Sequence, residues 1–195
     1  MRAVPTYFSA EMVRALPDDG NRYETVYGEL LVTPAPPTSH RVAVCRLLTS
    51  LNRYLELNTA GIALTAPADI SWSSDVLVQP DLFVVPLEEA WTLRWSHIRS
   101  LLLAVEVASR ATSRVDRFTK RRLYQDVGIP LYWILDPGRR AVEIWKPEDT
   151  LPRVARDRIS WHPSGASRPF SLRLDQLFCP RRPRTSSNES HSKRH

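Results

Sequence analysis

The chain has 195 residues, a net charge of +6, 43% hydrophobic residues and 25% charged residues. That length supports one domain with a sizeable core, and the composition is that of an ordinary globular protein, which excludes a chain too polar to fold. With only two cysteines, Cys45 and Cys179, and no CxxC pair, a disulfide scaffold and a cysteine/histidine zinc site are excluded as well.

Two cysteines and no disulfide framework point to a reducing, cytoplasmic setting. The N-terminus, Met1 to Pro5, lacks the apolar core of a signal peptide, and no stretch reaches membrane-spanning length without charge or proline, so no membrane partner is expected. The basic balance favours an anionic partner such as nucleic acid. Part of the excess lies at the end, where Arg181, Arg182, Arg184, Lys193 and Arg194 face only Glu189, and a solvated tail explains that part more simply. The expected organisation is a single domain over 1–178, with its core about 22–146, and a disordered basic tail over 179–195.

Ser9 to Leu16 reads as a short helix with Ser9 as N-cap, stopped by Pro17-Asp18-Asp19-Gly20. Arg22 to Val26 alternates like a strand, Tyr27-Gly28 turns, and Glu29 to Thr33 returns as the second arm of a hairpin. After three prolines, Thr38-Ser39-His40 opens a long helix whose apolar stripe is Val44, Leu48, Leu51 and Leu55, with Gly61 as its stop. Ile62 to Leu64 and Asp69 to Trp72 read as strands. Gln79 to Val85 follows as a third, and residues 88–99 as a loop or short helix. Leu101 to Ala108 is apolar at both parities, as in a sheet centre covered on both faces. A second long helix is expected from about Arg114 to Val127, ended by Gly128-Ile129-Pro130. Leu131 to Leu135 and Ala141 to Trp145 flank the turn Asp136-Pro137-Gly138-Arg139, and Arg158 to Trp161 and Phe170 to Leu174 read as late edge strands. The order predicts an α/β or α+β domain, a mixed sheet flanked by helices.

Two apolar strands each carry one carboxylate, Asp81 and Glu106. A buried ionised carboxylate has lost its water and needs compensation, which a hard divalent cation or a lysine supplies. Lys120 is the next cation along the chain. Leu123 and Val127 lie three and seven residues beyond it, so a helix packed on the sheet carries Lys120 toward the acids. Two acids and a lysine suit metal-assisted phosphodiester hydrolysis. The plainer alternatives are that Asp81 caps a turn after Pro80, that Glu106 pairs with an arginine such as Arg110, and that Lys120 pairs with Asp116 on an exposed helix.

Several segments, in this order, resemble the Uma-type restriction endonucleases of bacteria, within the PD-(D/E)xK nuclease superfamily. They are Tyr23 to Leu30, Ser39-His40, Val78 to Leu82, Val105-Glu106-Val107, Asp116 to Tyr124 and Gly128 to Pro137. The resemblance implies a restriction-endonuclease-like fold, DNA as substrate and a Mg2+ or Mn2+ ion held by Asp81 and Glu106. By analogy it also implies a homodimer that cuts two strands. The superfamily's lysine usually stands two residues after the glutamate, where this chain has Ala108. In this family it appears on the helix, which implicates Lys120. Glu29 and His40 also fall on positions the family tends to keep. Glu29 is either an accessory metal-site acid or an edge-strand charge, and His40 either faces the site or simply precedes the helix. Two other functions fit the same residues: a nuclease-fold protein that binds or regulates without turnover, motivated by Ala108, and an interaction module whose acids and lysine form a buried structural ion pair.

Overall fold

The structure, a computed structural model, describes residues 6–178; the expected basic tail, 179–195, lies outside the described residues. Helix α1 (Ala10–Arg14) starts as expected, with the Ser9 hydroxyl accepting from the Met12 N–H at 3.1 Å. Strands β1 (Arg22–Val26) and β2 (Glu29–Thr33) form the predicted antiparallel hairpin. Its two turn residues, Tyr27 and Gly28, both have positive φ, 52° and 79°, which is the pairing a two-residue hairpin turn requires.

Helix α2 (Thr38–Asn58) is the long helix expected. Its buried line is Ala43, Leu47, Leu51 and Leu55, with Val44 and Leu48 half-buried at its edge, so the apolar stripe is one residue wider than the sequence pattern suggested. It stops at Thr59, which itself takes the left-handed conformation. Gly61 is needed for a different reason: a Cβ there would stand 2.6 Å from the Val85 carbonyl oxygen.

Strands β3 (Ile62–Thr65), β4 (Ile70–Ser73), β5 (Val76–Val78) and β6 (Leu82–Val85) follow, then helix α3 (Leu87–Ala90), a 3-10 turn at Trp95–His97, and β7 (Leu103–Val107). Of the run read as one strand, 79–85, only Leu82–Val85 is strand; Gln79, Pro80 and Asp81 are the joint between β5 and β6. Pro80 has no N–H to offer a ladder, and the chain uses that joint to pass from one sheet to another. The second long helix is also divided, into α4 (Ser113–Val115), a π-helical turn (Asp116–Lys120) and α5 (Arg121–Asp126). Strands β8 (Tyr132–Asp136), β9 (Ala141–Trp145), β10 (Arg153–Ala155), β11 (Arg158–Trp161) and β12 (Phe170–Arg173) lead to helix α6 (Leu174–Phe178).

The main sheet has the order β10-β9-β8-β7-β6-β3; β7 and β8 are parallel and the other pairs antiparallel. A smaller sheet has the order β2-β1-β5-β4, and β11 pairs with β12 alone. Every residue of β7 is buried, as its unbroken apolar pattern predicts. One face of the main sheet packs on α2, α6 and the β11–β12 hairpin through Leu47, Leu51, Val105 and Trp133. The other packs on the small sheet and α5 through Phe83, Ala104, Val26, Leu123 and Tyr124. The site lies in this second layer. Asp81 shares strand parity with Phe83, and Glu106 shares it with Ala104, so both carboxylates are directed there.

Candidate active site

Strands β6 and β7 do pair, with Leu82 opposite Val105. Carried one pair further, the register sets Asp81 opposite Glu106. Asp81 is 5% exposed and Glu106 2%. Neither is a lone buried charge. Asp81 Oδ1 accepts from Arg22 Nη2 at 2.9 Å. Its Oδ2 accepts from His40 Nε2 at 2.8 Å and from the Val107 backbone N–H at 2.8 Å. Burial works against ionisation of Asp81, but the His40 hydrogen bond, the Arg22 charge and the Val107 N–H outweigh it and hold the carboxyl below its ordinary range. An ionised Asp81 only accepts, so His40 carries its proton on Nε2; its Nδ1 is buried and has no hydrogen-bond partner.

Lys120 Nζ lies 2.8 Å from Glu24 and 2.9 Å from Glu106 Oε1. The Tyr124 hydroxyl donates to the same Glu106 oxygen at 3.0 Å. The π-helical turn places Lys120 here with Asp116, and both side chains are buried. Such turns insert an extra residue into a helix and commonly mark functional sites. Burial alone would favour neutral Lys120; Glu106, Glu24 and Asp116 outweigh it and keep the amine protonated. An ammonium has three N–H donors, and three oxygens, both of Glu24 and Oε1 of Glu106, lie within 2.9 Å of it.

Besides Tyr124 and Asp116, two residues of β1 that the sequence reading did not assign to the site belong to it. Arg22 and Glu24 are two apart on β1 and so share a face. Besides meeting Asp81, Arg22 donates to the Gln79 carbonyl at 2.7 Å, and Glu24 accepts from the Gln79 N–H at 2.6 Å. Between them they clamp the joint that presents Asp81. The signal was present as charge at alternate positions of a half-buried strand, but nothing local says which face of the hairpin is covered. Glu29, on the returning strand, is exposed beside the turn, opposite Val26, and makes none of these contacts. His40 does face the site. Arg110 is exposed and does not pair with Glu106.

Glu24, Asp81, Glu106 and Asp116 are buried with the cation Lys120 and beside the half-buried Arg22. Fully ionised, the acids exceed these cations by two charges. Desolvation pushes Glu106 well up; Lys120 opposes it, and Asp81, Asp116 and Glu24 add to the push. Asp116 is raised to about 6, chiefly by burial, with Lys120 and a Thr112 hydrogen bond opposing. Its Oδ2 has no hydrogen-bond partner. A surplus of buried carboxylate is the chemistry of a hard-cation site. Each carboxylate oxygen can accept about two bonds, so Asp81 Oδ1 and Glu106 Oε2 retain acceptor capacity. Among the described residues no three His, Cys, Asp or Glu side chains are grouped to hold a metal by themselves. Magnesium takes one or two carboxylates and keeps several waters, so the pair fits that ion rather than zinc.

Asp81, His40 and Arg22 line a cleft of about 790 Å3 that is also walled by Arg14, Arg41 and Pro36. The cluster therefore has one side open to a ligand, and that side carries both signs of charge, Arg14, Arg22 and Arg41 with Asp18, Asp69 and Asp81.

A profile of the Uma2 family, described as "putative restriction endonuclease", matches residues 10–167. The chain belongs to that family. This Uma2 protein is also similar in structure to a "putative nuclease belonging to DUF820" from Anabaena variabilis. The two share 19% identity at a TM-score of 0.70, over 88% of this chain and 97% of that one. The likeness concerns the fold: a restriction-endonuclease-like mixed sheet flanked by helices. A comparison with curated proteins gave no match. Among the described residues, no helix is long and apolar enough to cross a membrane.

Proposed function

We propose that this Uma2 protein is an endonuclease that hydrolyses phosphodiester bonds in DNA with the help of a divalent cation, Mg2+ or Mn2+, in a cytoplasmic setting. The observation that carries this reading is the convergence of Asp81, Glu106 and Lys120, from the joint before β6, from β7 and from the π-helical turn, on one charged pocket beside an open cleft. Asp81 and Glu106 would hold the ion through the acceptor positions left free. When bound, the ion supplies charge neutralisation at the phosphate and a water acidic enough to act as nucleophile near neutral pH. Lys120, kept protonated by the acids around it, is placed to orient that water or to stabilise the negative charge that develops on the phosphate. Tyr124 and Glu24 fix the lysine and the glutamate relative to each other. Arg22 and His40 do the same for Asp81, and both keep it ionised. Arg41 on the cleft wall attracts backbone phosphates, which aligns a strand without reading its sequence.

Supercoiled plasmid incubated with Mg2+ or Mn2+ should be nicked or linearised, and Asp81→Asn and Glu106→Gln should each lower the rate at least about 100-fold. Calorimetric titration of the metal alone checks that the loss follows the ion: both variants should weaken its uptake while remaining folded. Wild-type rates in either variant would remove the assignment of the site.

A second reading has its own observation. Both oxygens of Asp81 are already hydrogen-bonded, and Lys120 is saturated on two sides by carboxylates, as in a purely structural cluster. On that reading the protein binds nucleic acid without cutting it. Salt-sensitive binding with no cleavage in Mg2+, Mn2+ or Co2+ would select it.

A further inference from the structure

We infer that the loop between α3 and β7 is a base-stacking platform, and that the nucleic acid engaged by this protein is single-stranded or locally unpaired where it crosses that loop. The inference rests on the nucleic-acid reading above but not on cleavage. Trp91, Leu93 and Trp95 are 71%, 93% and 49% exposed, within five residues of one another. Arg94 and Arg99 are exposed in the same segment. Three large apolar side chains in water cost solvation, and their concentration in one loop with arginines between them is the composition of a surface that stacks bases and neutralises phosphates.

The loop is built rather than loose. The Glu89 carboxylate accepts from the Arg99 N–H at 2.7 Å and the Ser100 N–H at 3.1 Å, closing its base. The Trp72 indole N–H donates to the Arg99 carbonyl at 3.0 Å, and Ile98 is buried beneath. Trp95 leans one edge on Phe83, ring centroids 6.4 Å apart, which leaves the ring half open. At the tip Leu93 has φ 53°, a left-handed conformation that a branched apolar residue seldom takes, and its side chain is held out in water.

Trp95 and Arg99 line a groove of about 570 Å3 whose far wall includes Arg14, Pro67 and Asp69. Those same three residues line the cleft that contains Asp81 and His40. The groove and the cleft that contains Asp81 and His40 thus meet at one shared wall, where Arg14 pairs with Asp69 at 3.1 Å. A strand with its phosphates near Arg41 and Arg99 crosses that wall and meets an indole ring where a duplex would present only its paired edges.

The test is fluorescence anisotropy of labelled oligothymidine and of a duplex of equal length, in EDTA so that nothing is cut, with wild type, Trp91→Ala and Trp95→Ala. Trp91 is the safer variant because its side chain is mostly in solvent, and circular dichroism reports whether Trp95→Ala has kept its fold. Each substitution should weaken single-strand binding by about tenfold, the scale of one stacked base, and change duplex binding by less than about twofold. Equal losses on both ligands, or no loss on either, would overturn the inference. So would sedimentation equilibrium showing a wild-type dimer that both variants dissociate, because the aromatic surface would then belong to a second copy of the chain. Stacking without cleavage would leave this inference standing and remove the endonuclease reading; cleavage unaffected by either tryptophan would do the reverse.

Discussion

Lys120 is the residue on which the buried charges balance. Its removal leaves Glu24 and Glu106 facing each other without a cation, and an uncompensated buried charge costs about 3–5 kcal/mol. Lys120→Met should therefore lower the unfolding free energy at pH 8 by that order, read from urea denaturation, and the deficit should shrink as pH falls and the abandoned carboxylates take up protons. Asp116 behaves in the opposite sense. Its folded carboxyl is raised to about 6 from an ordinary 3.8, so between about pH 4 and pH 6 the folded state holds a proton that the unfolded chain has lost. Stability from this group is present below that window and lost as pH rises through it, by up to about 3 kcal/mol. Asp116→Asn should flatten this slope and leave the variant more stable than wild type at pH 8, as read from urea denaturation at pH 4 and pH 8. On the endonuclease reading, where Asp116 adds negative charge beside the proposed ion, the same variant should lose nuclease rate while gaining stability.

Elements decide where these residues stand. The joint at Gln79-Pro80-Asp81 hands the chain from the small sheet to the main sheet, and the β1 side chains Arg22 and Glu24 grip its backbone from both sides. The π-helical turn does for Lys120 what the joint does for Asp81: it interrupts a regular element to aim one side chain. At the other end of β6, Gly61 lets the chain pass against Val85. Gly61→Ala would drive a methyl to 2.6 Å from a backbone oxygen and strain a φ of 144°. It should cost about 1–3 kcal/mol and show as a lowered thermal midpoint with an unchanged affinity for metal.

At the scale of the whole molecule the basic balance acquires a location. Arg14, Arg22 and Arg41 line the cleft; Arg22 is committed to Asp81 and Arg14 to Asp69, which leaves Arg41 as the candidate phosphate contact of the proposed function. Arg41 is exposed. Arg41→Ala should weaken binding to all DNA sequences alike and reduce the slope of log affinity against log salt by about 1, measured by anisotropy across a salt series. A loss confined to one sequence would instead mean that Arg41 reads bases.

Local pattern was enough for the hairpin, for α2, for the buried β7 and for the β8–β9 pair, because each depends on periodicity and turn chemistry contained within its own residues. The pairing of Asp81 with Glu106 was also legible, since each acid sits in an apolar run that has nowhere to go but the core. The resemblance to a nuclease family brought His40 and Lys120 forward, and the tertiary structure places both against the acids. It did not bring in Glu29: paired with Val26, that residue shares a face with Glu24, but it stands at the exposed turn end of the hairpin, away from the buried acids. Arg22, Glu24 and Asp116 emerged only from packing. Which face of a hairpin is covered, and where a helix takes an extra residue, depend on what other segments press against them, and no short stretch of sequence carries that information.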